Sequence, residues 1–113
     1  MHELSLAVQL VQTAEDAARE AGAARVTAVV VRVGDLSGVS VDALRFAYDV
    51  AAAGTMLEGS RLEARRVAVT VRCPRCGDVE LPGVQSFRCP ACGTPTGDLR
   101  AGRELELESL EVE

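Results

Sequence analysis

The sequence predicts an α+β fold: two helices packed on a three-stranded sheet, with an inserted four-cysteine module of zinc-ribbon type. Three observations carry this. Apolar residues recur at helical spacing in two segments, and three further segments are β-branched or alternate with period two. The four cysteines form two C-x2-C pairs between the last two predicted strands. At 113 residues the chain suits one domain with a small appended module.

Residues 4–21 read as an amphipathic helix. Leu4, Ala7, Val8, Val11, Ala14 and Ala18 recur three and four residues apart, with Gln9, Gln12, Asp16, Arg19 and Glu20 on other faces. Gly22 supplies the stop. Residues 25–33 are rich in valine and read as a strand buried on both faces for much of its length. After a turn-rich link, Ser40 offers an N-cap hydroxyl and Asp42 a negative charge in the first helical turn. A second helix therefore spans about residues 41–53, with Leu44, Ala47, Tyr48 and Ala51 inward and Gly54 as its cap.

A second strand covers residues 61–72 and a third covers 104–112. Each shifts its apolar parity midway: from Leu62 and Ala64 to Val67, Val69 and Val71, and from Leu105 and Leu107 to Leu110 and Val112. Such a shift predicts a bulge or bend, shared by both strands if they pair. The domain boundaries that follow are 1–72 plus 103–113 for the α+β part and 73–102 for the cysteine module.

Composition narrows the function. The only aromatic residues are Phe46, Tyr48 and Phe87, so the core must be built from many small contacts. All basic residues are arginine, which reflects compositional bias rather than mechanism. Residues 1–72 hold nine acids and eight arginines, whereas 93–113 hold six acids against Arg100 and Arg103. With no basic stripe to neutralise phosphates, nucleic-acid binding is disfavoured. No apolar run reaches transmembrane length, and the start of the chain lacks a signal-peptide pattern. A cytoplasmic protein without membrane association is expected, with reduced thiols that favour metal ligation over disulfides.

Cys73-Pro-Arg-Cys76-Gly and Cys89-Pro-Ala-Cys92-Gly are paired knuckles: each turn points two thiolates at one ion, and the following glycine relieves the backbone. Together Cys73, Cys76, Cys89 and Cys92 complete a closed tetrahedral shell of four sulfurs, the pattern of structural zinc. A pair of disulfides and a rubredoxin-type iron site are the alternatives. Between the knuckles only Val79, Leu81 and Phe87 offer apolar bulk, so metal binding must supply much of the module's folding free energy. Four thiolates with Zn2+ sum to −2, which makes the module no cationic reader of nucleic acid.

The only histidine is His2. A bulky second residue normally preserves the initiator methionine, leaving a free α-amine on Met1. That amine, the His2 amide nitrogen and the His2 imidazole can close fused chelate rings around one ion, and Glu3 can add its carboxylate or amide nitrogen. Nitrogen donors in tetragonal geometry suit Ni(II) or Cu(II) better than Zn(II). Amide ligation needs deprotonation, so binding should weaken as pH falls. The plain alternative is an exposed terminal side chain with no role.

Taken together, the Met-His-Glu opening, Val31-Arg-Val-Gly-Asp-Leu-Ser-Gly38, the paired CPxCG knuckles and Gly102-Arg-Glu-Leu-Glu-Leu107 resemble the HypA/HybF nickel metallochaperones over essentially the full length. The resemblance implies Ni(II) carried as transient cargo by His2, with Glu3 beside it, and structural Zn(II) on Cys73, Cys76, Cys89 and Cys92. It also implies a nickel-handling GTPase (HypB) and the hydrogenase large subunit as partners, with urease maturation served in some organisms. Some members draw a further nickel ligand from an acidic residue at the start of the second helix. Here Ser40 stands at that place; Asp42 is the nearest substitute, with a helix-dipole role as its plainer reading. Asp35 matches an acidic turn position.

No nucleophile–base pair or general acid–base constellation is visible, so catalysis is not expected. A zinc-ribbon binding module of transcription or translation, acting on nucleic acid or protein, is the alternative from a different class. Acidic charge and scarce aromatics count against it. A third reading is an interaction protein with an incidental N-terminal histidine, which predicts nickel affinity indifferent to His2→Ala.

Overall fold

In the computed structural model, which describes residues 3–83 and 87–113, helix α1 spans Glu3–Glu20 and helix α2 spans Val41–Ala52. Between them lies strand β1, Val26–Gly34. The remaining strands are β2 (Arg61–Val67), β3 (Thr70–Cys73), β4 (Gly77–Glu80), β5 (Leu99–Ala101) and β6 (Leu105–Val112). They form two three-stranded sheets, ordered β2-β1-β6 and β4-β3-β5. The α+β class and the two helices agree with the expectation; the second sheet, with β4 and β5, was not legible from periodicity.

The predicted strand over 61–72 is in fact two strands. Its parity shift marks the place where the chain leaves one sheet as β2 and enters the other as β3. The third strand stays whole as β6. It does not pair with β2: the two flank β1 on opposite sides, so the two strands cannot share a bend across a common ladder.

The chain divides into two compact units: Met1–Arg32, Val39–Arg65 and Glu106–Glu113 form one, and Val33–Gly38 with Arg66–Leu105 form the other. The segment holding the cysteines thus shares its unit with residues 33–38 and 66–72.

In the first unit, Ala7, Leu10, Val11, Ala14 and Ala18 of α1 are buried, as are Val26 and residues 28–31 of β1 and Leu44, Ala47, Tyr48 and Ala52 of α2. Small side chains dominate, as the scarcity of aromatics required. Leu4 and Val8, expected inward, stand 52% and 42% exposed, whereas Leu10, not among the expected residues, joins Val11 on the inward stripe. Tyr48 is buried at 1% exposure, and its hydroxyl lies 2.5 Å from Ser60 Oγ. Burial also raises the Tyr48 pKa above its ordinary value. Tyr48→Phe is expected to cost about 1 kcal/mol of stability, the worth of one such bond, read as a lower urea midpoint.

α2 is capped from two places. Ser40 Oγ accepts the Ala43 N–H at 3.3 Å, as the sequence predicts for an N-cap. A local capping box would need Glu or Gln at position 43, which is alanine. The Glu3 carboxylate of α1 fills that role instead, accepting the Ser40 N–H at 3.3 Å. At its other end α1 sends the Glu15 carboxylate to the Met56 N–H, 3.1 Å away, just beyond α2. The two helices therefore run in the same direction.

β1 and β6 are antiparallel: Arg25 and Glu113 exchange backbone hydrogen bonds of 3.3 and 3.0 Å, and Thr27 Oγ1 reaches the Glu111 carbonyl at 3.1 Å. The acidic C-terminal segment is balanced in space. Glu106, Glu108, Glu111 and Glu113 meet Arg32, Arg65, Arg61 and Arg25 at 2.8–3.3 Å. Such exposed pairs add little stability each, but they cancel the like-charge repulsion within the strand.

The second unit has a much smaller core of Val69, Val71 and Leu81, with Leu36, Val79 and Leu99 packed against it. Phe87, expected to contribute apolar bulk, is 39% exposed and does not join it. Asp35, read as a turn residue, binds Arg66 through both carboxylate oxygens at 2.7 and 2.5 Å. That guanidinium holds the Asp35 pKa below its ordinary value. No described helix is long and apolar enough to cross a membrane.

Candidate metal centre

The first knuckle caps a hairpin. β3 and β4 pair antiparallel with Cys73 opposite Gly77, so residues 74–76 form the tip of a hairpin and carry Cys76 outward. Gly77 has φ +82°, a left-handed conformation that closes the turn without a Cβ clash. The second knuckle closes in the same manner: the Gly93 N–H donates to the Cys89 carbonyl at 2.8 Å, and Gly93 has φ +75°. A bridge between Arg88 and Pro95 flanks it.

The segment after Cys92 fastens the two knuckles together. The Arg72 N–H donates to the Asp98 carbonyl at 2.9 Å, while Thr96 Oγ1 donates to the Arg72 carbonyl at 2.6 Å. Thr96 is the one buried polar residue among those described, and this bond satisfies it. Sequence reasoning passed over Thr96 and Thr94. Their signal was faint: two threonines in the short Cys92–Asp98 link, where a β-branched hydroxyl can tie a turn to its neighbour.

All four sulfurs lie within 4.8 Å of one another, and Cys73 Sγ and Cys92 Sγ are 3.6 Å apart. A tetrahedron with Zn–S bonds of about 2.3 Å has edges of about 3.8 Å, so the cluster is sized for such an ion. Cys73 and Cys89 are buried while Cys76 and Cys92 face solvent. All four are free thiols. The donor set leaves no place for a water ligand, which fits a closed structural centre rather than a reactive one.

The sulfurs differ in how readily they give up a proton. The Thr94 hydroxyl, 3.1 Å from Cys92 Sγ, and the Thr94 backbone hold the Cys92 thiol down to about 6. Hydrogen bonds to Cys92 and Cys89 push Cys76 up to about 12. One sulfur is thus ready to ligate near neutral pH, while another keeps its proton until a cation displaces it.

Of the N-terminal donors, Met1 and His2 lie outside the described residues. Glu3 opens α1 with its carboxylate on the Ser40 N–H. Asp42 is exposed in the first turn of α2, two residues beyond Ser40. The expected donor Glu3 and the candidate Asp42 are thus associated with the same helix end.

The family model for "Hydrogenase/urease nickel incorporation, metallochaperone, hypA" matches residues 1–112. The chain belongs to the HypA family. A hydrogenase maturation factor HypA of Roseiflexus is 54% identical over 114 residues, spanning 100% of this chain and 93% of the relative. One from Deinococcus radiodurans is 49% identical, spanning 95% of this chain and 89% of its own. The solution structure of the Ni metallochaperone HypA from Helicobacter pylori superposes with a TM-score of 0.69 at 23% identity, covering 99% of this chain and 97% of that one. The fold described above is therefore the HypA fold, and its four-cysteine cluster is the zinc-fitting module within it.

Proposed function

We propose that this HypA-family chain carries one Ni(II) at its N-terminus and hands it on during [NiFe]-hydrogenase maturation. The observation that carries this is family membership over residues 1–112, joined to a chain whose only histidine is His2. His2 is the principal ligand, through its imidazole and amide nitrogen, with the Met1 amine beside it. The Glu3 carboxylate is turned to the Ser40 N–H, which favours the Glu3 amide nitrogen as its contribution. Asp42 stands in reserve as a carboxylate donor.

Zn(II) on Cys73, Cys76, Cys89 and Cys92 is structural. The role is carriage, not catalysis, and it is exercised in the cytoplasm. A HypB-type GTPase and the hydrogenase large subunit are the partners, with urease maturation as a second outlet; neither nucleic acid nor membrane is engaged.

Calorimetric titration of untagged protein with Ni(II), beside His2→Ala, tests the site. The variant is expected to lose affinity by more than the roughly 10–100-fold that losing an outer partner of a ligand costs. Zinc content and fold should be unchanged. Affinity should also fall with pH, because imidazole and amide must both be deprotonated to bind. Equal affinities for the two proteins would refute the assignment.

A further inference from the structure

We infer that the outer face of α2 is a docking surface for an amphipathic helix of another protein, one that presents apolar side chains beside arginine or lysine. On this face Phe46 stands 76% exposed and Val50 56% exposed, although the chain has only three aromatic residues. Ala43 and Ala53, also exposed, extend the row. The four residues fall at i, i+3, i+7 and i+10, one side of the helix and about 15 Å long. They lie opposite the face that buries Leu44, Ala47 and Tyr48.

The charges around this row identify the occupant. Asp42 and Asp49 are four and three residues from Phe46 along the helix, so both carboxylates border its ring. Among the described residues neither forms an ion pair, whereas Glu106, Glu108, Glu111 and Glu113 are matched to arginines. Arg45, the one cation on α2, is turned away, with its guanidinium donating to the Leu62 carbonyl at 3.2 Å.

The wider field agrees. The unit containing α2 holds twelve acids and six arginines, a net −6, while the cysteine-bearing unit holds five acids and six arginines before metal binding. A second copy of the chain would bring Asp42 and Asp49 against their own kind, and an anionic lipid surface would be repelled in the same way. A helix with a basic flank satisfies the apolar row and the two carboxylates together.

The test uses the zinc-loaded full chain and two 14-residue peptides, one built from leucine and lysine and the other from leucine and glutamate in the same amphipathic pattern. NMR titration with the lysine peptide is expected to shift the amides of residues 42–53 first, and the glutamate peptide should not bind. Phe46→Ser should weaken binding at least tenfold, and Asp49→Asn should weaken it severalfold and flatten its salt dependence. Nickel affinity of Phe46→Ser should stay unchanged, so a failure here is distinct from a failure of the nickel site. Circular dichroism of both variants should match wild type, because Phe46 and Asp49 are exposed.

Shifts centred away from α2, or undiminished binding by Phe46→Ser, overturn the inference. A wild-type dimer in light scattering that Phe46→Ser makes monomeric overturns it in favour of self-association.

Discussion

Cys73→Ala, or removal of the metal by a strong chelator, is expected to unfold the cysteine-bearing unit while the two helices persist. That unit's own core is three buried side chains, Val69, Val71 and Leu81, with three partly buried neighbours. Three such side chains contribute about 5–9 kcal/mol on burial, which the entropy of ordering tens of residues far exceeds. A structural zinc site supplies on the order of 10 kcal/mol, enough for a bound ion to decide whether the unit folds. Cys73 is the most consequential of the four sulfurs to lose, being 1% exposed at the end of β3, where it joins the knuckle to that core.

α1 and α2 draw on the separate core of the other unit and should keep their far-UV signal. Loss of amide protection in Thr70–Cys73 and Gly77–Glu80, with helical ellipticity retained, is the expected reading. Retention of one equivalent of zinc with full protection in Cys73→Ala would contradict it. Acid should mimic the variant: thiolates must be deprotonated to hold the ion, so the metal-derived stability present at neutral pH is lost as pH falls.

Gly34→Ala is expected to cost about 3 kcal/mol or more, the upper range for inserting bulk into a filled space. A Cβ on Gly34 would collide with the backbone carbonyl of Gly102 and with the Arg103 nitrogen. These are main-chain atoms and cannot swing aside. They are also held in place, because the Gly34 N–H donates to the Glu104 carbonyl and the Leu36 N–H to the Gly102 carbonyl, each at 2.7 Å. Gly102 is itself confined, with φ +124° and Val69 against the space a side chain would fill. Gly97→Ala is the control: nothing lies within 4 Å of its Cβ position, so its urea midpoint should stay near wild type. Equal midpoints for the two variants would show that the close approach yields at little cost.

This contact gives a physical reason for two stretches that stood out in the sequence. Val31–Gly38 and Gly102–Leu107 are far apart along the chain, yet Gly34 and Gly102 touch backbone to backbone. Spacing could not reveal that, because a glycine required by contact reads the same in sequence as a glycine required by a turn. The knuckles were legible for the opposite reason. Each CPxCG turn is local, and the chemistry of four reduced thiolates narrows the ion that suits them.

Helices α1 and α2 were equally local, to within a residue or two. The second sheet was not, because β4 and β5 are too short to show a period and exist only by pairing with β3. The exposure of Leu4, Val8 and Phe87 was misjudged for a related reason: hydrophobicity says which residues can be buried, not which neighbours arrive to cover them.

The sequence by itself determined the α+β class, the two helices with their Ser40 cap, the strand β1, the four-sulfur centre and the family, all fixed by residues close together in the chain or by chemistry proper to one residue type. Only the tertiary structure decided that β2 and β6 flank β1 without pairing, that Arg25, Arg32, Arg61 and Arg65 balance the C-terminal glutamates, and that Glu3 completes the cap of α2. In each case the partners are distant in sequence. A carboxylate 37 residues from Ser40 has no local preference for it, and finds the Ser40 N–H only once two apolar helix faces have been buried together.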